Sequence, residues 1–83
     1  MYKATITVRR RPSILDPEGK AMEHALTLLD FKQLTNVRTG KLIELLVDAA
    51  DEKSAHEAVS QACVKLLANP VMEDFSFTLE PID

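Results

Sequence analysis

Val37-Arg38-Thr39-Gly40-Lys41-Leu42-Ile43-Glu44-Leu45 is the stretch whose reading decides the fold. Apolar residues flank a short polar segment whose only flexible member is Gly40, the pattern of a β-hairpin. A two-residue type I′ loop would need positive φ at Thr39, which a β-branched residue resists. The better fit is a type I turn over Arg38 and Thr39, with Gly40 left-handed as a G1 bulge. That geometry sets Arg38 and Lys41 side by side at the tip. A strand–helix pair lies on either side in mirrored order, so the chain reads β-α-β, turn, β-α-β.

Upstream, Tyr2 to Arg9 alternates: Tyr2, Ala4, Ile6 and Val8 point one way, Lys3, Thr5, Thr7 and Arg9 the other. This is a strand with one buried face. The basic run Arg9-Arg10-Arg11 is closed by Pro12, which cannot continue a ladder. Such a run is read either as a solvated loop or as a contact for an anion or an acidic partner. Leu15-Asp16-Pro17-Glu18-Gly19 starts a helix: Asp16 caps, Pro17 fits the first turn, and Glu18 favours the positive end of the dipole. Met22, Ala25, Leu26 and Leu29 then follow the spacing of a buried stripe. Gly19 costs about 1 kcal/mol relative to alanine in a helix, so its presence implies that something approaches the backbone there. Leu34 to Arg38 reads as the short strand entering the hairpin.

Downstream, the return strand Lys41–Asp48 carries Ile43, Leu45 and Val47 on one face and Leu42, Glu44, Leu46 and Asp48 on the other. Leucines at 42 and 46 on a face that would meet water point to burial against a second copy or a partner. Asp51 or Ser54 starts the second helix, Ser54 and Glu57 having capping-box spacing. Ala55, Ala58, Val59, Ala62, Cys63, Leu66 and Leu67 form its apolar stripe, with Cys63 as a buried structural thiol. Asn69 suits a left-handed cap and Pro70 bars continuation. Phe75, Phe77 and Leu79 alternate in a last strand before Pro81.

The order most simply gives an α+β two-layer sandwich, β-α-β-β-α-β with ferredoxin-like strand order. Its four-stranded antiparallel sheet would carry two helices on one face, in a single domain spanning 1–83. Chain direction then gathers three unusual stretches at one rim: the arginine run with Leu15-Asp16-Pro17, the Arg38–Lys41 tip, and Leu67-Ala68-Asn69-Pro70-Val71. A chain of 83 residues buries only about 60% of its unfolded surface, so self-association would help it. A net charge of −3 speaks against nucleic-acid binding, which needs a basic footprint. No apolar run approaches the roughly 20 residues that span a membrane. A lone cysteine makes neither an internal disulfide nor a zinc site, and the expected compartment is the cytoplasm. There is no phosphate loop, no Ser/His/Asp set and no metal spacing; His24 and His56 read as surface residues. From its chemistry this is a non-catalytic interaction domain.

Three segments carry a specific resemblance: Leu15-Asp16-Pro17-Glu18-Gly19, Val37-Arg38-Thr39-Gly40-Lys41 with Glu44-Leu45, and Cys63-Val64-Lys65-Leu66-Leu67-Ala68-Asn69-Pro70-Val71-Met72-Glu73-Asp74-Phe75. Together, at these separations, they resemble the PurS family, small subunits of phosphoribosylformylglycinamidine (FGAM) synthase. The resemblance implies a subunit of a glutamine-hydrolysing, ATP-dependent C–N ligase of purine synthesis, with no active site of its own. It implies a bridge between a PurQ-type glutaminase and a PurL-type synthetase that helps ammonia pass, with ATP, Mg and glutamine used by those partners and no cofactor or metal on this chain. It also implies dimers or dimers of dimers, for which Leu42 and Leu46 are candidates. The family pattern is matched directly at Arg38, Gly40, Lys41, Asn69 and Pro70. With Arg9, Arg10, Arg11, Asp16, Pro17 and Gly19, these are the candidates for partner contact or local geometry. The chain departs from the family at Glu18, where Gln is usual, at Arg11-Pro12-Ser13-Ile14, where Lys-x-Gly-Val is common, and at Asp30, where glycine is usual.

Two other functions share the two-layer fold. A small-molecule-sensing regulatory domain would need a ligand pocket, usually at a subunit interface. An RNA-binding domain would stack bases on aromatics of its open sheet face. That face here carries Lys3, Thr5, Thr7, Leu42, Glu44 and Leu46, none of them aromatic.

Overall fold

The alternating N-terminal strand lies at the centre of the sheet. A computed structural model describes residues 1–82. In it β1 (Tyr2–Arg10) is the central strand, flanked by β2 (Gly40–Val47) and β3 (Glu73–Pro81) in the order β2-β1-β3, both pairings antiparallel. Ala4, Ile6 and Val8 are fully buried, as their alternation predicts. The register sets Ala4 between Leu45 and Leu79, and Ile6 between Ile43 and Phe77, so the inward side chains of all three strands fall on one face.

The element order is completed by α1 (Pro17–Leu28), α2 (Glu52–Ala62) and a π-helical turn over Cys63–Leu67. The result is the expected α+β two-layer fold, an antiparallel sheet with its two helices on one face. Of the two possible starts for α2, Asp51 is the cap: the Ser54 amide donates to its carboxylate at 2.7 Å. Ala55, Val59 and Cys63 then lie against the sheet and complete the core with Val47 and Ala68. Burial pushes the Cys63 thiol pKa up, in keeping with a structural role. The predicted stripe does not run straight to its end. The π turn, closed by the Ala68 amide donating to the Cys63 carbonyl at 3.0 Å, inserts an extra residue and turns the chain about its axis. Ala68 is thereby buried, while Leu66 is 82% exposed and Ala58 faces solvent.

The expected second strand and the hairpin do not form. Residues 34–39 have no strand pairing, and the sheet has three strands rather than four. The backbone donors a strand would offer are taken by α1. The Val37 amide donates to Glu23 Oε1 at 2.9 Å, and the Thr39 amide donates to Asp16 Oδ2. Asn36 at φ 57° also breaks an extended run. Gly40 is not left-handed and forms no G1 bulge. It opens β2 opposite Arg9, where an added Cβ would lie 2.7 Å from the Val8 carbonyl oxygen. Close strand approach, not turn geometry, requires glycine at this position.

Two helix ends also differ from expectation. Asn69 is not a left-handed cap; its side-chain oxygen accepts from the Val71 amide at 3.0 Å, and its carbonyl accepts from the Met72 and Glu73 amides. The left-handed cap is at the end of α1 instead, where Asp30 has φ 73°. There the Phe31 amide donates to the Leu26 carbonyl and the Asp30 amide to the Thr27 carbonyl, a Schellman motif.

The stripe of α1 is not covered. Gly19 is its one buried residue, while Met22, Leu28 and Leu29 are about half to three-quarters exposed. The chain is accordingly elongated, 51 × 28 × 14 Å with a radius of gyration of 16.4 Å, against about 12 Å for a compact chain of this length.

Because Asp30 holds a conformation that glycine adopts without a Cβ penalty, Asp30→Gly raises stability by about 0.5–1 kcal/mol. Thermal denaturation checks this; a lowered melting temperature contradicts the cap assignment.

Candidate functional site

Asp16 joins the start of α1 to the segment before β2. Its side chain is 1% exposed and every polar atom in it is engaged. The Gly19 amide donates to Oδ1 at 3.0 Å, which caps α1 as the sequence predicts. From the far side the Thr39 amide donates to Oδ2, and the Thr39 hydroxyl lies 2.9 Å from both oxygens. Arg10 Nη1 completes the set at 3.1 Å. These donors favour the charged form. The Gly19 and Thr39 amides, with the Thr39 hydroxyl and Arg10 adding to them, outweigh burial and hold the carboxyl at a pKa of about 2. Gly19 is required by the same junction: a Cβ there would overlap the Val37 carbonyl oxygen and crowd the Asp16 carboxylate. The close backbone approach inferred from the sequence is therefore Val37, while Pro17 simply occupies the first helical position.

The three stretches expected at one rim do meet there. Arg38 Nη2 donates to the carbonyls of Arg11 and Ile14 at 2.9 and 2.8 Å, tying the segment before β2 to the arginine loop. Arg11 ties that loop to the segment after α2: Nε to Asp74 at 3.0 Å, Nη2 to the Pro70 carbonyl at 2.6 Å, Nη1 to the Val71 carbonyl at 3.2 Å. Asn69 and Pro70 shape this last loop. Arg9, Arg10 and Arg38 line a cleft of about 370 Å³ with Pro12, Asn36 and Asp74. Lys41 is not beside Arg38 at a hairpin tip; it lines a separate cleft with Arg10, Glu18, Thr39, Gly40 and Glu73.

Leu42 and Leu46 lie elsewhere, on the open face of the sheet, each 62% exposed. Between them Lys3 pairs with Glu44 at 2.9 Å, which raises the Lys3 pKa. His56 is exposed but sits 4.9 Å from the Phe77 ring. Among the described residues, no group of three His, Cys, Asp or Glu side chains could hold a metal ion.

Sequence reasoning missed Glu23, Thr39 as a ligand of Asp16, and Asp74. Glu23 looks like an ordinary exposed helix residue, and the partners of Thr39 and Asp74 lie 23 and 63 positions away in the chain. No local signal marks such pairs.

Comparison with known proteins matches the geometry to a family. The PurS family, described as phosphoribosylformylglycinamidine (FGAM) synthase, matches residues 3–81. The chain belongs to the PurS family. Relatives in this family are named as PurS subunits of phosphoribosylformylglycinamidine synthase. The chain is 37% identical to the PurS subunit of Methanocaldococcus jannaschii over 83 residues, the whole of both chains, and superposes on that crystal structure with a TM-score of 0.88. It is 38% identical to the PurS subunit of Bacillus subtilis over 82 residues, covering 99% of this chain and 96% of the other. A chain in the structure of PurLQS from Thermotoga maritima is 34% identical, with a TM-score of 0.87 over 95% of this chain and 96% of that one.

Two predictions follow from the Asp16 junction. Since its folded pKa lies below the ordinary carboxylate value, its stabilisation is complete above about pH 4 and is lost as pH falls towards 2. Acid denaturation shows this limb, and Asp16→Asn shrinks it while lowering the melting temperature at pH 7; an unchanged acid limb contradicts the assignment. Gly19→Ala destabilises by about 1–3 kcal/mol through overpacking, read by urea denaturation.

Proposed function

We propose that this chain holds a PurQ-type glutaminase and a PurL-type synthetase together in FGAM synthase and assists ammonia transfer between them. The three-loop rim is the docking edge. It contains Arg9, Arg10, Arg11, Arg38 and Lys41, in a family whose Thermotoga maritima relative is found in a PurLQS assembly. A second copy of the chain, in a dimer or a dimer of dimers, covers apolar surface the monomer leaves open. The single observation that carries this reading is incomplete burial in a very small chain. The stripe of α1 and Leu42 and Leu46 on the open sheet face are both exposed, in a molecule far longer than a compact one. Full burial of each large apolar side chain contributes about 1.5–3 kcal/mol, so several together supply a strong drive to associate. No helix among the described residues is long and apolar enough to cross a membrane, and the reading places the complex in the cytoplasm.

Reconstitution tests the reading. Mixed with the two partner enzymes, glutamine and Mg-ADP, the chain runs as a larger species on gel filtration, and glutamine-dependent FGAM formation needs all three. Arg9→Glu combined with Lys41→Glu weakens that assembly while circular dichroism is unchanged, because both side chains are exposed and neither makes a hydrogen bond among the described residues; assembly at full strength removes the rim from the interface. Leu42→Lys with Leu46→Lys lowers the sedimentation mass of the chain alone; an unaltered mass places self-association on another face.

A further inference from the structure

All the arginines of this chain, Arg9, Arg10, Arg11 and Arg38, lie at one end of the molecule, whereas its lysines are scattered from Lys3 to Lys65. Arginine differs from lysine in offering a planar fork of donors that fits carboxylate and phosphate oxygens. The arginines at this end are not equally engaged. Arg11 is satisfied by Asp74 and two carbonyls. Arg38 uses one nitrogen on two carbonyls, and among the described residues its guanidinium has no ion-pair partner. Arg10 uses one nitrogen on Asp16. Arg9 is exposed and its guanidinium has no hydrogen-bond partner among the described residues.

Arg9, Arg10 and Arg38 line the same cleft of about 370 Å³, with Pro12 and Asn36 as neutral walls. Among the described residues the one carboxylate in its lining is Asp74, which lies opposite Arg9 in the sheet and is already paired with Arg11 at 3.0 Å. The neighbouring cleft, lined by Arg10 and Lys41 but also by Glu18 and Glu73, has no such excess and carries no comparable argument. Against a net charge of −3 for the chain, the arginine cleft is a local reversal of sign. Its volume falls in the range of small-ligand clefts, about 300–1,000 Å³.

We propose that the cleft between Arg9, Arg10 and Arg38 binds a phosphate group, free or as the phosphate of a small ester or nucleotide. The unused guanidinium nitrogens supply charge-assisted hydrogen bonds to its oxygens. The site goes beyond the bridging role and is tested on the chain alone, so that either reading can fail without the other.

The test is an amide NMR titration of the full chain with inorganic phosphate, against chloride at matched ionic strength. Saturable shifts at residues 9–12, 36–38 and 74, with a dissociation constant on the order of 1 mM or tighter, support the site. Arg9→Gln, which removes a guanidinium with no hydrogen-bond partner among the described residues, weakens that binding roughly tenfold, and Arg9→Lys restores part of it. Titration with pyrophosphate and with ADP separates the sources: tighter binding of ADP than of pyrophosphate identifies a nucleotide, and the reverse identifies bare phosphate groups. Absence of saturable shifts overturns the proposal. So does wild-type affinity in Arg9→Gln, or a response to a glutamate-rich peptide with none to phosphate.

Discussion

A single buried carboxylate decides how the ends of this molecule meet. Asp16 has lost nearly all contact with water, and a carboxylate in that position is costly unless donors replace the solvent. Two backbone amides, one hydroxyl and one guanidinium do so. The same bonds join pieces of chain that have no reason of their own to stay together: the last residues of β1, the first turn of α1, and the segment leading into β2. A fully satisfied polar junction of this kind specifies one arrangement, because any partial version leaves charge unpaired. Gly19 belongs to the same constraint, since only a residue without Cβ lets α1 and the Val37 carbonyl come this close.

That junction has consequences for the rest of the fold. The donors of the segment before β2 are directed at α1, so the sheet gains no fourth strand. α1 is anchored by its N-terminus rather than by its apolar face, and the core is built by α2 and the sheet alone. What remains is a small folded unit with apolar surface on both α1 and the open face of the sheet. Surface left uncovered in this way marks sites of interaction in small proteins, and here it accompanies membership of a family of complex subunits.

The rim shows how structural roles divide among similar residues. Arg11 acts as a clamp, drawing the loop after α2 to the loop after β1. Arg38 does the same work between the segment before β2 and the arginine loop, but through carbonyls, so its charge stays available. Arg9 holds nothing. A run of identical residues in sequence thus resolves into a clamp, a ligand of Asp16 and an exposed arginine without a partner among the described residues, according to where each side chain lands.

The sequence by itself determined what depends on neighbours in the chain. Strict alternation identified β1, β2 and β3; the Asp16-Pro17 pair marked the start of α1; the apolar stripe identified α2; and Gly19 announced a close approach without saying of what. Only the tertiary structure decided where the donors of Val37 and Thr39 go, because their acceptors, Glu23 and Asp16, lie 14 and 23 residues away and leave no periodic trace. For that reason a stretch with strand propensity became a strap, and Gly40 proved necessary for strand approach rather than for a turn. The convergence of the rim was legible because it follows from the directions of successive elements. The split of the arginines into clamps and an exposed side chain was not, since it rests on single hydrogen bonds formed between loops after the chain has folded.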